Sequence, residues 1–130
     1  MANFESFEDI VSWQKAIDVA QEIYSFTNKE VFSKDFALKD QIRKSAISIP
    51  SNIAEGFGRG GNKEFIQFLY IAKGSLFELK TQILLACKLK YIEQNEYKSI
   101  DGELDEISKL ISGLLNYLKS SELKGTKFKK

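Results

Sequence analysis

Residues 39–61 read KDQIRKSAISIPSNIAEGFGRGG, and the prediction of the fold starts from this stretch. Small or apolar side chains recur at steps of three and four, beginning with the residue just before this stretch: Leu38, Ile42, Ala46, Ile49 and Ile53. This spacing predicts a helix with one face turned toward a core. Pro50 lies inside the pattern without changing its phase. Because proline lacks an N–H and crowds the carbonyl four residues earlier, here that of Ala46, we predict a helix kinked near Pro50.

The composition is that of an ordinary soluble globular domain, with 43% hydrophobic and 28% charged residues in a chain of 130. The sequence has no uncharged apolar run of about 18 residues, so we expect no transmembrane helix. Its first residues lack the basic start and apolar run of a signal peptide. The single cysteine, Cys87, cannot form an internal disulfide and is expected to act as an apolar filler. We therefore predict a cytoplasmic protein.

Three further helices are predicted from the same periodicity. The four predicted helices cover residues 9–26, 34–56, 62–88 and 93–121, with Ser33 as the N-cap of the second. Helices of this length with short connections pack best as an antiparallel, up-down-up-down four-helix bundle. We therefore predict an all-α fold with the bundle in residues 1–123. Residues 124–130 carry four lysines and no acid, and we expect them to form a disordered basic tail.

Aligning the second and third predicted helices across the glycine-rich turn brings small residues together. Ser45 is expected to lie near Ser75, and Ser48 near Ala72, which predicts an unusually close crossing of the two helices. The same alignment predicts an ion pair between Arg43 and Glu78. Asn52 or the serines are expected to satisfy the carbonyl that Pro50 leaves without a partner. The favoured interpretation of these polar residues is structural, because buried polar groups must be paired.

Enzyme, cofactor and metal sites find no support in the sequence. Gly56, Gly58 and Gly61 match the letters of the dinucleotide-binding fingerprint, but they follow a predicted helix, whereas that motif needs a preceding strand. The chain has no histidine, so a di-iron bundle site and a histidine-activated nucleophile are both disfavoured. We therefore predict a non-enzyme with no cofactor and no metal.

Several motifs, in order along the chain, resemble the 23S rRNA-intervening-sequence proteins, a family of small four-helix bundles. The matching segments are residues 13–16, 41–46, 48–56, 64–69, 72–79 and 91–92. The resemblance covers roughly residues 4–120, and it departs at residues 31–34, where members often carry a proline. Its structural signature falls on Arg43, Ser48, Pro50, Asn52, Glu55, Gly56, Ser75 and Glu78.

The resemblance implies a left-handed antiparallel bundle that assembles as a ring-shaped homopentamer. The molecular role of the family is not established. Related accessory proteins of diversity-generating retroelements are similar pentameric bundles that bind nucleic acid and a reverse transcriptase through basic surfaces. That analogy supplies a hypothesis of RNA binding for this chain.

Basic residues of this sequence offer a surface for such binding. The candidate nucleic-acid contacts are Lys39, Arg43, Arg59, Lys63, Lys127, Lys129 and Lys130. A ring would repeat each of them once per subunit and make a weak patch multivalent. The chain carries a net charge of only +1, however, and ordinary solvated charges are the favoured interpretation.

The aromatic content exceeds what one small bundle can bury, with ten Phe, five Tyr and one Trp. We predict self-association through a set of apolar residues outside the core stripes: Phe4, Phe7, Ile66, Tyr70 and Phe77. Taken together, the sequence predicts a non-catalytic homo-oligomer with an RNA-linked role. The alternative is a structural module that binds a protein partner and no nucleic acid; neither interpretation involves a membrane.

Overall fold

A computed structural model describes the backbone of residues 4–128 and the side chains of residues 4–121. Within these residues the regular secondary structure is entirely helical. A 3₁₀ helix at Phe7–Asp9 precedes five α-helices: α1 Val11–Thr27, α2 Glu30–Ser33, α3 Phe36–Gly58, α4 Asn62–Lys88 and α5 Gln94–Phe128. The predicted all-α fold class is therefore confirmed.

The four long helices pack around one core. α1 contacts α3 and α5, and α4 contacts the same two helices, so each long helix has two long neighbours. The core consists mainly of isoleucine and leucine from the predicted stripes, including Ile42, Ile53, Leu76, Ile83, Leu104 and Ile111, each no more than 2% exposed. Burial of such side chains contributes about 1.5–3 kcal/mol each, and this is the main force that holds the helices together.

The predicted helix bounds agree closely with the structure for α4 and differ elsewhere. α1 begins at Val11 rather than near Asp9, because Ser6 caps a separate 3₁₀ turn before it. The segment between the first two predicted helices contains the short helix α2. Asp35, rather than Ser33, is the N-cap of α3, since its carboxylate accepts a hydrogen bond from the backbone N–H of Leu38 at 3.1 Å.

α3 continues without a break through Pro50 and ends at Gly58, two positions beyond its predicted end at Gly56. The turn to α4 then passes through Gly60 with φ +85° and Gly61 in an extended conformation. A positive φ is strained for residues with a Cβ, so a glycine at position 60 makes this turn possible.

α5 runs to Phe128, so its predicted end near Ser121 is too early. The last two residues lie outside the described part of the chain. The division into a bundle and a basic tail stays a prediction.

Candidate functional site

Three polar side chains of the family signature meet where α3 crosses α4. The hydroxyl oxygens of Ser48 and Ser75 lie 2.7 Å apart. The amide of Asn52 donates to the Ser48 hydroxyl at 2.9 Å and to the Ser48 carbonyl at 2.8 Å. Asn52 therefore donates to the carbonyl of Ser48, and neither Asn52 nor these serines form the predicted bond to the carbonyl of Ala46. Ser75 meets Ser48 rather than Ser45, so the predicted alignment is off by about one helical turn.

At Gly56 the two helices approach each other closely. A Cβ atom at this position would lie 2.6 Å from Cβ of Phe68 and 3.2 Å from the ring of Phe65. Real side chains do not approach so closely, which explains a glycine there. Gly74 of α4, by contrast, faces open space and is exposed. The helices cross closely, as predicted, and the small residue that makes room for Phe68 of α4 is Gly56 of α3.

Arg43 joins α3 to the end of α1, and the predicted ion pair with Glu78 is wrong. Its guanidinium donates to Thr27 Oγ1 at 2.8 Å and to Asn28 Oδ1 at 3.1 Å, and it stacks 4.3 Å from the ring centroid of Tyr24. Its positive charge lies beside the last turn of α1, where the helix dipole favours a cation. Arg43 is thus a structural anchor between two helices, and Glu78 is exposed on α4.

The two glutamates of the signature do not contribute to the seam. Glu55 pairs with Arg59, the residue just after α3, at 2.5 Å. Both side chains of this pair are about half exposed, so it contributes at most about 1 kcal/mol. The signature therefore divides into a buried set around Ser48 and a solvent-exposed set.

The predicted basic residues form two separate groups. Lys39 and Arg43 lie near the start of α3, whereas Arg59 and Lys63 flank its end, roughly 24 Å away along the helix axis. Arg59 is also engaged within the chain, with Glu55 and 5.1 Å above the ring of Phe68. Lys39 lies 5.0 Å above the ring of Phe36. The side chains of Lys127, Lys129 and Lys130 lie outside the described residues.

Four of the five predicted interface residues contact their own chain, since Lys119 of α5 also lies 4.7 Å above the ring of Tyr70. Phe4 and Ile66 are half-buried against the core. Phe7 lies 5.0 Å from the ring of Trp13, in an edge-on contact. Tyr70 and Phe77 stay 46% and 51% exposed on the outer face of α4, and only these two strongly support an outward-facing surface.

The sequence analysis missed three further members of this surface. Ile71, Leu84 and Leu85 are 47%, 40% and 46% exposed on α4. The seven-residue steps from Tyr70 to Phe77 to Leu84 were the available signal, because residues so spaced share one helix face. We call the set Tyr70, Ile71, Phe77, Leu84 and Leu85 the outer α4 face.

One concave region of the described chain is an apolar groove. A groove of about 430 Å³ lies between the start of α1 and the second half of α5 and is lined by Phe4, Ile10, Val11 and Leu114, among others. In the described part of the chain no cluster of three or more histidine, cysteine or acidic residues could hold a metal ion. None of the helices described is both long and apolar enough to cross a membrane.

Comparison with known proteins places the chain in a family. The family model for the 23S rRNA-intervening sequence protein matches residues 8–113. A crystal structure of a protein with unknown function from the S23 ribosomal protein family of Bacteroides thetaiotaomicron VPI-5482 is similar, with 30% sequence identity and a TM-score of 0.74. That match covers 81% of this chain and 98% of the other. No curated protein matches. The chain belongs to the 23S rRNA-intervening sequence protein family.

Proposed function

We propose that this chain is a non-catalytic, self-associating bundle protein of the cytoplasm, and that its assembled form contacts RNA through Lys39 and Lys63. The observation that carries the proposal is the outer α4 face. The exposed apolar residues of this face support the assembly directly. RNA contact is a second step, and it has its own test.

The outer α4 face has the pattern of a helix-packing seam. Tyr70, Phe77 and Leu84 recur every seven residues, and the small residues Gly74 and Thr81 lie between them. All five of these residues are exposed. Alternating steps of four and three are the spacing of a coiled-coil seam, in which side chains of one helix fit between those of another. Such a stripe on a water-exposed helix marks a protein interface.

The partner we propose for this face is another copy of the same chain. The resemblance to the family implies a ring of five subunits, and a ring needs two different surfaces on each subunit that meet head to tail. The outer α4 face would supply one of them.

Size-exclusion chromatography with light scattering at micromolar concentration tests the assembly. Wild-type protein is expected to elute as a stable oligomer, with five subunits if the family analogy holds. Phe77→Ser should shift the mass toward the 14.8 kDa monomer while the helical circular dichroism is kept. Val31→Ser is the matched control, since Val31 is 55% exposed on α2 and lies outside the outer α4 face. A wild-type monomer would overturn the proposal.

RNA contact is proposed through the two lysines of the predicted surface that make no ion pair with described side chains, Lys39 and Lys63. Repetition around a ring would place each lysine at several positions and raise the effective affinity. The analogy with accessory proteins of diversity-generating retroelements supports RNA or DNA as the ligand class. Arg43 and Arg59 contact side chains of their own chain, so they are less available to RNA. We therefore expect a lower affinity for RNA than the sequence suggested.

Filter binding of a structured RNA at ~50 and ~200 mM salt tests this contact, because phosphate contacts weaken steeply with salt. Lys39→Gln and Lys63→Gln are expected to reduce both the affinity and the salt dependence. Lys98→Gln is the control, since this exposed lysine lies on α5, outside the proposed surface. The absence of binding at the lower salt concentration would remove RNA from the proposal and leave the assembly intact.

A second candidate function is a protein-interaction module that does not bind nucleic acid. It is favoured by the separation of the basic residues into two groups at opposite ends of α3. In that case the outer α4 face, or the apolar groove beside Phe4, would receive a different protein.

We further infer that the four long helices run up-down-up-down in a left-handed bundle, with α3 bent at Pro50. Contacts between residues on either side of each turn support the alternating directions: Phe57 meets Phe65 near the α3–α4 turn, and Ser48 meets Ser75 further from it. The family resemblance supports the handedness. A crystal structure of this protein would test all three features.

A further inference from the structure

The apolar groove between α1 and α5 has a volume of about 430 Å³. Its apolar lining consists of Phe4, Ile10, Val11, Leu110 and Leu114, and we call it the α1–α5 groove. Val11 is 47% exposed there, so apolar surface of the groove is in contact with water. A concave, mostly apolar surface of this kind is typical of a binding site.

Gly113 of α5 also lines this groove and leaves room in it. A Cβ atom at position 113 would meet no atom of the described residues within 4 Å. The packing of the chain itself therefore does not require a glycine here, in contrast to Gly56, and glycine is a poor helix former. Because the side chain is absent, a group from outside the chain can approach the backbone of α5 closely.

The outer α4 face lies on a different helix of the bundle from either side of the groove. Among the described residues α1 makes no contact with α4, since each of these two helices packs against α3 and α5. The face and the groove are both exposed, so neither covers the other within one chain. Two different surfaces of one subunit are what a head-to-tail contact between copies needs.

The two surfaces also carry opposite charges. Lys109 lines the groove, and Glu78 follows Phe77 on α4, where it is exposed. Neither Lys109 nor Glu78 forms an ion pair with a described side chain. Opposite charges beside an apolar contact fix its register and disfavour other pairings. The charge of the groove therefore matches the α4 face of another copy.

We propose, on the basis of the self-association proposed above, that the α1–α5 groove of one subunit binds the outer α4 face of a second copy. Phe77 of the second copy lies beside Gly113, and Glu78 lies beside Lys109. Each subunit then offers its groove to one neighbour and its α4 face to the other. Such a contact repeats from subunit to subunit and closes a ring.

Light scattering of the full chain with Gly113→Leu at micromolar concentration tests the contact. Leucine occupies the groove without a clash at its Cβ, so the variant should keep its helical circular dichroism and shift toward the monomer mass of 14.8 kDa. Gly102→Leu is the matched control and should assemble like wild type, because position 102 is an open, exposed glycine of α5 outside the groove.

The outcomes separate this inference from the self-association itself. A wild-type oligomer that Gly113→Leu leaves intact would overturn the groove as the second surface and keep the self-association. A monomeric wild type would overturn both.

A mixture of two variants tests the head-to-tail pairing. Phe77→Ser keeps an intact groove, and Gly113→Leu keeps an intact outer α4 face. Sedimentation equilibrium of the equimolar mixture should therefore show a one-to-one pair with twice the 14.8 kDa mass of one chain, while each variant alone stays monomeric. The mixture is measured at ~1 mM, because a single contact lacks the effective concentration that ring closure supplies. A mixture that stays monomeric would overturn the inference.

An exchange of charges tests the register of the contact. Lys109→Glu should raise the dissociation constant of the oligomer by about tenfold, because a carboxylate then faces Glu78. Adding Glu78→Lys to the same chain should restore the wild-type value. Lys98→Glu is the control, since this exposed lysine of α5 lies outside the groove. A double variant no tighter than Lys109→Glu alone would overturn the pairing of Lys109 with Glu78.

Discussion

Gly56 of α3 lies against Phe68 of α4 so closely that an added methyl group would stand 2.6 Å from Cβ of Phe68. Eight residues earlier in α3, Ser48 meets Ser75 at 2.7 Å between hydroxyl oxygens. The two contacts define a crossing in which small residues of α3 meet α4.

Replacing Gly56 by alanine should therefore destabilise the protein. Alanine favours a helix over glycine by about 1 kcal/mol, but overpacking at this contact should cost about 1–3 kcal/mol. We expect a lower urea midpoint with an unchanged slope. Gly102→Ala is the matched control, because position 102 is helical, exposed and open, and it should be stabilised by up to about 1 kcal/mol. Equal effects at the two positions would contradict the close crossing.

The hydroxyl pair of Ser48 and Ser75 should behave as one coupled unit. Ser48→Ala and Ser75→Ala each leave a partly buried hydroxyl without its partner, and each should cost about 1–2 kcal/mol of unfolding free energy. The double variant should lose less than the sum, with a coupling of at least about 0.5 kcal/mol. Denaturant unfolding of the four proteins measures this coupling. Simple additivity would show that the hydroxyl groups do not interact.

Arg43 should not tolerate lysine, although the charge is kept. The guanidinium bonds Thr27 and Asn28 and covers the ring of Tyr24, and an ammonium group cannot make this planar arrangement. Arg43→Lys is expected to cost about 1–2 kcal/mol through the loss of these hydrogen bonds. Thermal unfolding followed by circular dichroism measures the loss. Lys44→Arg, at an exposed neighbouring position, should be neutral. An Arg43→Lys variant as stable as wild type would show that the contacts of the guanidinium do not stabilise the fold.

Glu96 should make the protein sensitive to acid. Its carboxylate accepts a bond from the backbone N–H of Glu93 at 2.9 Å and pairs with Lys29 at 2.7 Å, and these two interactions lower its pKa. Because the folded state favours the ionised form, this stability is present above the ordinary value of 4.5 and is lost as the pH falls through the lower folded value. Glu96→Gln should lower the melting temperature at pH 7 and leave it nearly unchanged at pH 3. A constant difference between the two pH values would argue against an ionic role.

Much of the fold can be predicted from the sequence, because helical periodicity is a local property. The α4 bounds agree with the prediction, and Ile42, Ile53 and Leu76 of the predicted stripes are all buried. The predicted starts of α1 and α3 were less accurate, because the start of a helix depends on which residue caps its first N–H groups. Ser33 and Asp35 are both good N-cap residues, and Asp35 is used.

The candidate site was harder to predict, because it depends on partners from distant parts of the chain. Arg43 and Glu78 have opposite charges on neighbouring helices, yet Arg43 turns toward Thr27 and Tyr24 on the other side. A shift of about one turn between α3 and α4 is enough to change every predicted contact across their seam.

By itself the sequence determined the helical segments, the residues that face the core and the family, since each of these depends on the order and spacing of residues along one chain. Only the tertiary structure decided that Gly56 lies against Phe68 of α4 and that Arg43 anchors the end of α1. The physical reason is that hydrogen bonds and charge interactions act over a few ångströms, so their partners depend on the relative position of helices that the sequence places far apart.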